Sequence, residues 1–220
     1  LTTLNDIEWI RMHYAYPTGF PDEVIDIMAS HPKVCNYLDI PIQHINNRIL
    51  AKMKRGHERD KLEKLLHDLH SKVPGVAIRT TLLVGFPGET DEEFDELYQF
   101  VKEFRFDRLG VFPYSHEEDT PAAGFDDDVP EEVKQERADR IMALQQEISL
   151  EINQNKVGKN FKVLIDREES DYYIGRTEHD APDVDNEVFI DKQIPLKAGE
   201  FAKVAITAAE EFDLYGTATN

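Results

Sequence analysis

Cysteine is nearly absent: Cys35 stands alone in 220 residues, so no internal disulfide can form. Positive charge is scarce as well. Lys and Arg number 25 against 44 Asp and Glu, a formal net charge of -19, which argues against a general binder of phosphate backbones and suits a basic partner. No window is apolar enough to cross a bilayer and no secretory signal is present, so the expected home is the cytoplasm, away from any membrane. Methionine is missing from position 1, and strand-like residues 9–14 follow almost at once; the reading is a piece cut from a longer protein. Internal repeats and low-complexity segments are missing too. At this length the chain can bury a sizeable core and is expected to form two domains.

What the sequence does contain is organised around Arg79-Thr80-Thr81-Leu82-Leu83-Val84-Gly85-Phe86-Pro87-Gly88-Glu89-Thr90. Residues 78–84 are mostly apolar with β-branched members, as expected of a parallel strand covered on both faces. Gly85 and Gly88 free the backbone for a sharp turn, and Pro87 fixes one φ between them. Thr90, followed three residues later by Glu93, is a capping-box start for a helix carrying Phe94, Leu97, Val101 and Phe104. Such junctions, at the carboxyl ends of parallel strands, are where α/β proteins bind ligands. The turn is neither a nucleotide P-loop nor a G-x-G-x-x-G fingerprint, and taken alone it is as often a plain connection as a ligand contact.

The same alternation runs through the first 155 residues. Strands are predicted over 9–16, 37–42 and 108–114, with helices over 22–30 and 60–73 and a further one, capped by Asn47, bearing Ile49, Leu50 and Met53. This order predicts a parallel sheet, open or bent into a barrel. Residues 115–129 are acidic and turn-rich and read as a surface loop, and Pro130 opens a long helix with Val133, Ile141, Leu144, Ile148 and Ile152 along its stripe. After Gly158 the period becomes two, and five short strands predict a small all-β barrel or sandwich. The fold class is therefore α/β, residues 1–155, followed by an all-β domain, residues 156–220.

Several single residues carry two readings. His67 and His70 have the i, i+3 spacing of half a metal site, but a solvated helix face explains them better. Cys35 reads as a small, partly buried residue rather than a nucleophile. Asp39, before the bend at Pro41, suits a turn hydrogen bond as well as a substrate contact.

Taken in order, Trp9-Ile10-Arg11-Met12-His13-Tyr14-Ala15-Tyr16-Pro17, Tyr37-Leu38-Asp39-Ile40-Pro41-Ile42-Gln43-His44, residues 79–90 and Phe106-Asp107-Arg108-Leu109-Gly110-Val111-Phe112-Pro113-Tyr114-Ser115 resemble successive strands of the radical S-adenosylmethionine (SAM) methylthiotransferases. The tail, with Tyr173-Ile174-Gly175-Arg176-Thr177-Glu178, resembles the TRAM domain that ends those enzymes, so the resemblance covers essentially the whole chain. Gln43-His44, where the tRNA-modifying branch usually has Gln-Ser-Gly, and Arg176-Thr177-Glu178-His179-Asp180-Ala181-Pro182-Asp183-Val184-Asp185 are similar to the ribosomal protein aspartate methylthiotransferase branch.

The resemblance implies the later four strands or so of a six-stranded radical-SAM partial (β/α) barrel, followed by a TRAM-like, OB-like barrel that recognises substrate. It also implies a parent enzyme using S-adenosylmethionine and two 4Fe-4S clusters, one held by Cys-x-x-x-Cys-x-x-Cys and one by three cysteines of an N-terminal domain. Cys35 alone builds neither, so this stretch is expected to hold no cluster, to offer no metal ligands and to be inactive by itself. In the parent, a 5'-deoxyadenosyl radical would take hydrogen from the β-carbon of an aspartate in the twelfth small-subunit ribosomal protein, and sulfur and a methyl group would follow. By the same resemblance Gln43, Arg79, Thr81, Gly85 and Tyr114 face the cofactor, Arg79 through its carboxylate. Read from the residues alone, Arg79 is equally a helix–sheet salt bridge and Tyr114 a core residue.

Arg176, Glu178 and Asp180 are the implied substrate contacts, together with His44, which can bond cofactor or substrate but as a lone histidine is more often structural, and the implied partner is a basic ribosomal protein, met free or on the assembled subunit. Between 156 and 220, eight Lys and Arg stand against fourteen Asp and Glu, a net of -6, which suits that protein better than tRNA, although ordinary solvated carboxylates give the same count. Modification of tRNA, and a non-catalytic protein-binding module, are the alternatives. A barrel without its first strands leaves an open edge, through which the piece is expected to self-associate.

Overall fold

A computed structural model describes residues 1–118 and 120–219; Asp119, in the loop expected over 115–129, and Asn220, at the end of the expected second domain, lie outside them. Strands β1 (Ile10–Met12) and β2 (Val34–Asp39) flank helix α1 (Asp22–Ser30). Helices α2 (Asn47–Lys52) and α3 (Arg59–Lys72) lead to β3 (Ala77–Val84), α4 (Asp91–Phe104) and β4 (Arg108–Pro113). A 3-10 turn, Pro121–Gly124, precedes the long helix α5 (Glu131–Gln154), and β5 (Asn160–Glu168), β6 (Tyr172–Thr177), β7 (Val188–Asp191), β8 (Phe201–Ala209) and β9 (Leu214–Thr219) follow. The first four strands form one sheet in the order β1-β2-β3-β4, and the last five close into a barrel in the order β5-β6-β7-β9-β8. Among the described residues no helix is long and apolar enough to cross a membrane.

Three local expectations shift, the first being the strand expected over 37–42, which forms over Val34–Asp39. The strand expected over 9–16 keeps only three residues, and Tyr14, just past its end, sits at φ 54°, outside any strand conformation. Helix α2 is capped by Asn46 rather than Asn47: the Asn46 side chain accepts from the Arg48 and Ile49 N–H groups.

By compactness the chain divides into two units, one of residues 12–30 and 38–145 and one of residues 1–11, 31–37 and 146–220. In the first, β3 runs parallel to β4, with Thr81 opposite Gly110 and Leu83 opposite Phe112. Burial along β3 alternates. Ile78, Thr80, Leu82 and Val84 are buried, whereas Arg79, Thr81 and Leu83 are only partly covered, and Phe112 on the same face as Leu83 is 59% exposed. The expectation of a strand covered on both faces therefore holds for one face. Helix α4 buries Phe94, Leu97, Phe100 and Val101, each contributing on the order of 1.5–3 kcal/mol.

In the second unit the barrel core is Val163, Ile165, Tyr173, Val188, Ile190, Val204, Ile206, Leu214 and Ala218, supplied by alternate residues of all five strands. Closing so small a barrel brings backbones together. A Cβ on Gly175 would lie 2.5 Å from the Leu164 carbonyl oxygen and 2.6 Å from Val163 Cγ1, and neither can withdraw without opening the β5–β6 pairing. Gly175→Ala is expected to destabilise the barrel by about 2 kcal/mol, the cost of overpacking. Urea unfolding followed at Tyr173 would read this as a lower midpoint; an unchanged midpoint would refute the close-approach argument.

Candidate functional site

The turn after β3 is built as its residues require. Gly85 and Gly88 take φ values of 72° and 77°, and Thr90 opens α4 with a complete capping box, its hydroxyl accepting the Glu93 N–H at 3.3 Å and Glu93 accepting the Thr90 N–H at 3.0 Å. Arg48 pairs with Glu93 and holds its carboxyl below the usual range, chiefly through that hydrogen bond. Gly85 is also a place of close approach: a Cβ there would sit 2.3 Å from Lys134 Cγ on α5.

The deepest group in the turn is the Glu89 carboxylate. One oxygen accepts from Arg137 Nη1 of α5 at 2.9 Å, the other from the Gly85 N–H at 3.0 Å, and His44 Nε2 stands 3.6 Å from that second oxygen. Arg137 reaches on to Asp91 at 2.7 Å. His44 is completely buried, and its Nδ1 accepts from the Asn46 N–H at 3.0 Å, which in the neutral ring leaves the proton on Nε2 toward Glu89. Asn46 continues the chain of contacts to Glu96 at 2.6 Å. The residues expected to touch substrate or plainly connect thus include one, His44, that the structure commits to a buried network. Neither Glu89 nor Arg137 stood out in the sequence; a turn carboxylate followed by an arginine 48 residues later has no periodic signature.

Gln43, Arg79 and Thr81 share the partly open side of the sheet. Gln43 takes φ 66°, a left-handed conformation that costs a non-glycine residue on the order of 1 kcal/mol and clusters at functional sites. Its backbone holds this turn by donating to Thr81 O at 2.9 Å and accepting from the Leu83 N–H at 2.8 Å. Its side chain lines a cavity of about 270 Å³ with Met53, Leu83, Phe86 and Arg55. Arg79 pairs with Asp39 at 3.2 Å, and Asp39 also accepts the Tyr14 N–H at 3.2 Å. Tyr114 is placed differently, in a buried cluster with Ile49 and Phe86, whose ring meets it edge-on at 5.2 Å. His70 stacks on Phe104 at 4.7 Å, and burial lowers its pKa.

In the second unit, the implied substrate contacts fall at the end of β6. Arg176 pairs with Asp166. Glu178 accepts the Asn36 N–H at 3.2 Å, while Arg11 donates to the Thr177 and Glu178 carbonyls at 3.1 and 3.0 Å. Asp180 is completely buried and accepts from the Thr177 hydroxyl. Asp185 accepts from the Tyr37 hydroxyl at 2.7 Å and the Ala181 N–H at 2.8 Å.

Comparison with known proteins follows these features closely. Residues 2–101 match the Radical SAM superfamily and residues 157–219 the TRAM domain. The whole chain is 57% identical to the ribosomal protein uS12 methylthiotransferase RimO of Christiangramia forsetii, covering 49% of that protein. Over 96% of the chain it is 54% identical to RimO of Phocaeicola vulgatus, again covering 49%. The chain is thus similar to radical SAM proteins over residues 2–101 and to the TRAM domain over residues 157–219, and to uS12 methylthiotransferases over its whole length. It spans about half the length of the curated relatives it matches. Among solved structures, coproporphyrinogen III oxidase (HemN) from Escherichia coli, a radical SAM enzyme, superposes with a TM-score of 0.53 at 23% identity, over 64% of this chain and 32% of that one, a likeness of fold.

A 4Fe-4S cluster, which the likeness to radical SAM proteins implies, does not fit the residues present. Cys35 is buried and its thiol is pushed up to about 11, first by burial, the opposite of what a thiolate ligand requires. Among the described residues no group of three His, Cys, Asp or Glu is arranged to hold a metal ion.

Removing one partner from the Glu89–Arg137 pair leaves a buried charge without compensation. Glu89→Ala is expected to cost about 3–5 kcal/mol, and Glu89→Gln with Arg137→Met together markedly less, because both charges then leave. Guanidinium unfolding of the two variants tests this; equal losses would show that the pair is not the anchor.

Proposed function

We propose that the protein containing this chain attaches a methylthio group to the β-carbon of an aspartate in ribosomal protein uS12, and that this stretch supplies the later barrel strands and the TRAM barrel that recognises the substrate protein. The observation that carries the reading is 57% identity over the full chain to a uS12 methylthiotransferase, without a gap in coverage at either domain. When bound, S-adenosylmethionine supplies the radical that opens the carbon–hydrogen bond and the methyl group that ends the reaction. The side chains here bind and orient. Arg79 is a fork for a carboxylate once Asp39 yields one of its contacts, and Thr81 offers a hydroxyl on the same face. Gln43 stands beside the apolar wall of Leu83 and Phe86, and Gly85 lets the turn lie close against α5 at Lys134. Tyr114 supports Phe86 from behind.

The full-length protein, reconstituted with iron and sulfide and given S-adenosylmethionine, a reductant and uS12, is expected to add one methylthio group in place of hydrogen on a single aspartate, read by peptide mass spectrometry. Residues 1–220 alone, treated identically, are expected to add none, since Cys35, a buried thiol, is the one cysteine they carry. Product on tRNA in place of uS12 would overturn the choice of substrate.

We infer further that residues 1–220, taken alone, associate through the half-open face of the sheet, where Phe112 is 59% exposed beside Leu83. Light scattering is expected to give a mass above the monomer that falls on Phe112→Ser. A monomer at every concentration would refute it.

A further inference from the structure

On the barrel, between the end of β6 and the start of β9, lies a second cavity of about 270 Å³. Its walls carry five carboxylates, those of Asp166, Asp183, Asp185, Glu187 and Asp213. Carboxylates alone would only be a solvated patch, but two buried donors also line it without partners. Asn186 is 4% exposed and its Nδ2 makes no hydrogen bond, and Arg176 leaves its Nε unpaired while its terminal nitrogen holds Asp166. A buried donor without an acceptor costs on the order of 1–3 kcal/mol, so its retention points to a group that arrives from outside.

The chemistry of that group is narrow. It must bring acceptors for Asn186 and Arg176, and a positive charge for the carboxylates. A phosphate has the acceptors but meets net negative walls. A bare metal ion has the charge but is faced by two nitrogen donors, and no metal-holding group of three is present among the described residues. A basic residue within a peptide has both, its main-chain carbonyls for the donors and its side chain for the carboxylates.

We propose that this cavity seats a lysine or arginine of an extended segment of the basic substrate protein, its carbonyl on Asn186 and Arg176 and its side chain beside Asp183 and Asp213, the Glu187 carboxylate being held already by Arg167 at 2.6 and 2.9 Å. The assignment rests on the reading that the substrate is a ribosomal protein, a class made basic by its own contacts with RNA. Asp213 already shows the strain of an unmatched charge: burial raises its pKa, and Glu187 and Glu210 add to the rise. Its link to the Glu187 N–H at 3.1 Å keeps it in place.

Two substitutions remove charge without disturbing the fold. Asp183 is exposed at φ 66°, where asparagine is equally at home, and an asparagine at 213 keeps the acceptor for the Glu187 N–H. The experiment uses the full-length protein and measures equilibrium binding of purified uS12 by fluorescence anisotropy across a salt series, with Glu200→Gln as an exposed control. Asp183→Asn with Asp213→Asn is expected to weaken binding about tenfold and flatten its salt dependence, and Asn186→Ala to weaken it several-fold with the salt dependence kept. Glu200→Gln is expected to change neither. Wild-type affinity in both cavity variants would overturn the cavity while leaving the methylthiolation of uS12 intact as a separate readout. Failure of the wild-type protein both to bind and to modify uS12 would overturn the functional reading and the cavity with it.

Discussion

The buried Glu89 carboxylate is the constraint to which the rest of the α/β unit is fitted. It is held by the Gly85 N–H from its own turn and by Arg137 from α5, with His44 from the end of β2 beside it. Such a pair adds little net stability, because desolvating two charges offsets most of their attraction. What it does supply is intolerance of error: any shift of the turn, of α5 or of residue 44 leaves a charge exposed to an apolar interior. Three elements distant in sequence are thereby held at the carboxyl ends of two neighbouring strands, the place where α/β folds put the turns that bind ligands.

That firmness explains why strain can be kept next door. Gln43 stands immediately before His44 and adopts a left-handed backbone that a free chain would abandon. Hydrogen bonds to Thr81 and Leu83 on one side, and the buried imidazole on the other, leave it no cheaper alternative. Gln43, so held, lines a cavity with Leu83 and Phe86. On the same side Arg79 is kept from collapsing onto the sheet by Asp39, so the guanidinium is pre-oriented rather than searching through solvent.

How much of this was legible follows from the range of the interactions. The capping box of Thr90 and Glu93, the turn at Gly85 and Gly88, and the helix over 22–30 depend on neighbours within a few residues, and the sequence reading places them correctly. The five strands of the barrel were readable for the same reason, their alternation being local. Strand β1 was overextended because Tyr14 leaves the β region for a contact with Asp39, 25 residues away. Glu89 with Arg137, and Arg79 with Asp39, are separated by 48 and 40 residues, and no spacing rule connects them. No neighbour in sequence decides between a structural His44 and one that meets a ligand; its complete enclosure is set by residues far along the chain.

The acidic tail shows the same limit from another side, since a count of charges does not say which are available. In the stretch 176–185, Glu178 is occupied by the Asn36 N–H, Asp180 is sealed against Thr177, and Asp185 holds Tyr37 and Ala181. These carboxylates work inward: they terminate backbone donors and bind the first strand segments, with Arg11, to the barrel's own unit. Net negative charge therefore describes the long-range field a basic partner feels on approach, whereas the contact itself must be made by the few carboxylates left over. Even in the barrel cavity Asp166, Asp185 and Glu187 are engaged by Arg176, by Tyr37 with Ala181, and by Arg167, so that Asp183 and Asp213 carry what charge there is to spare.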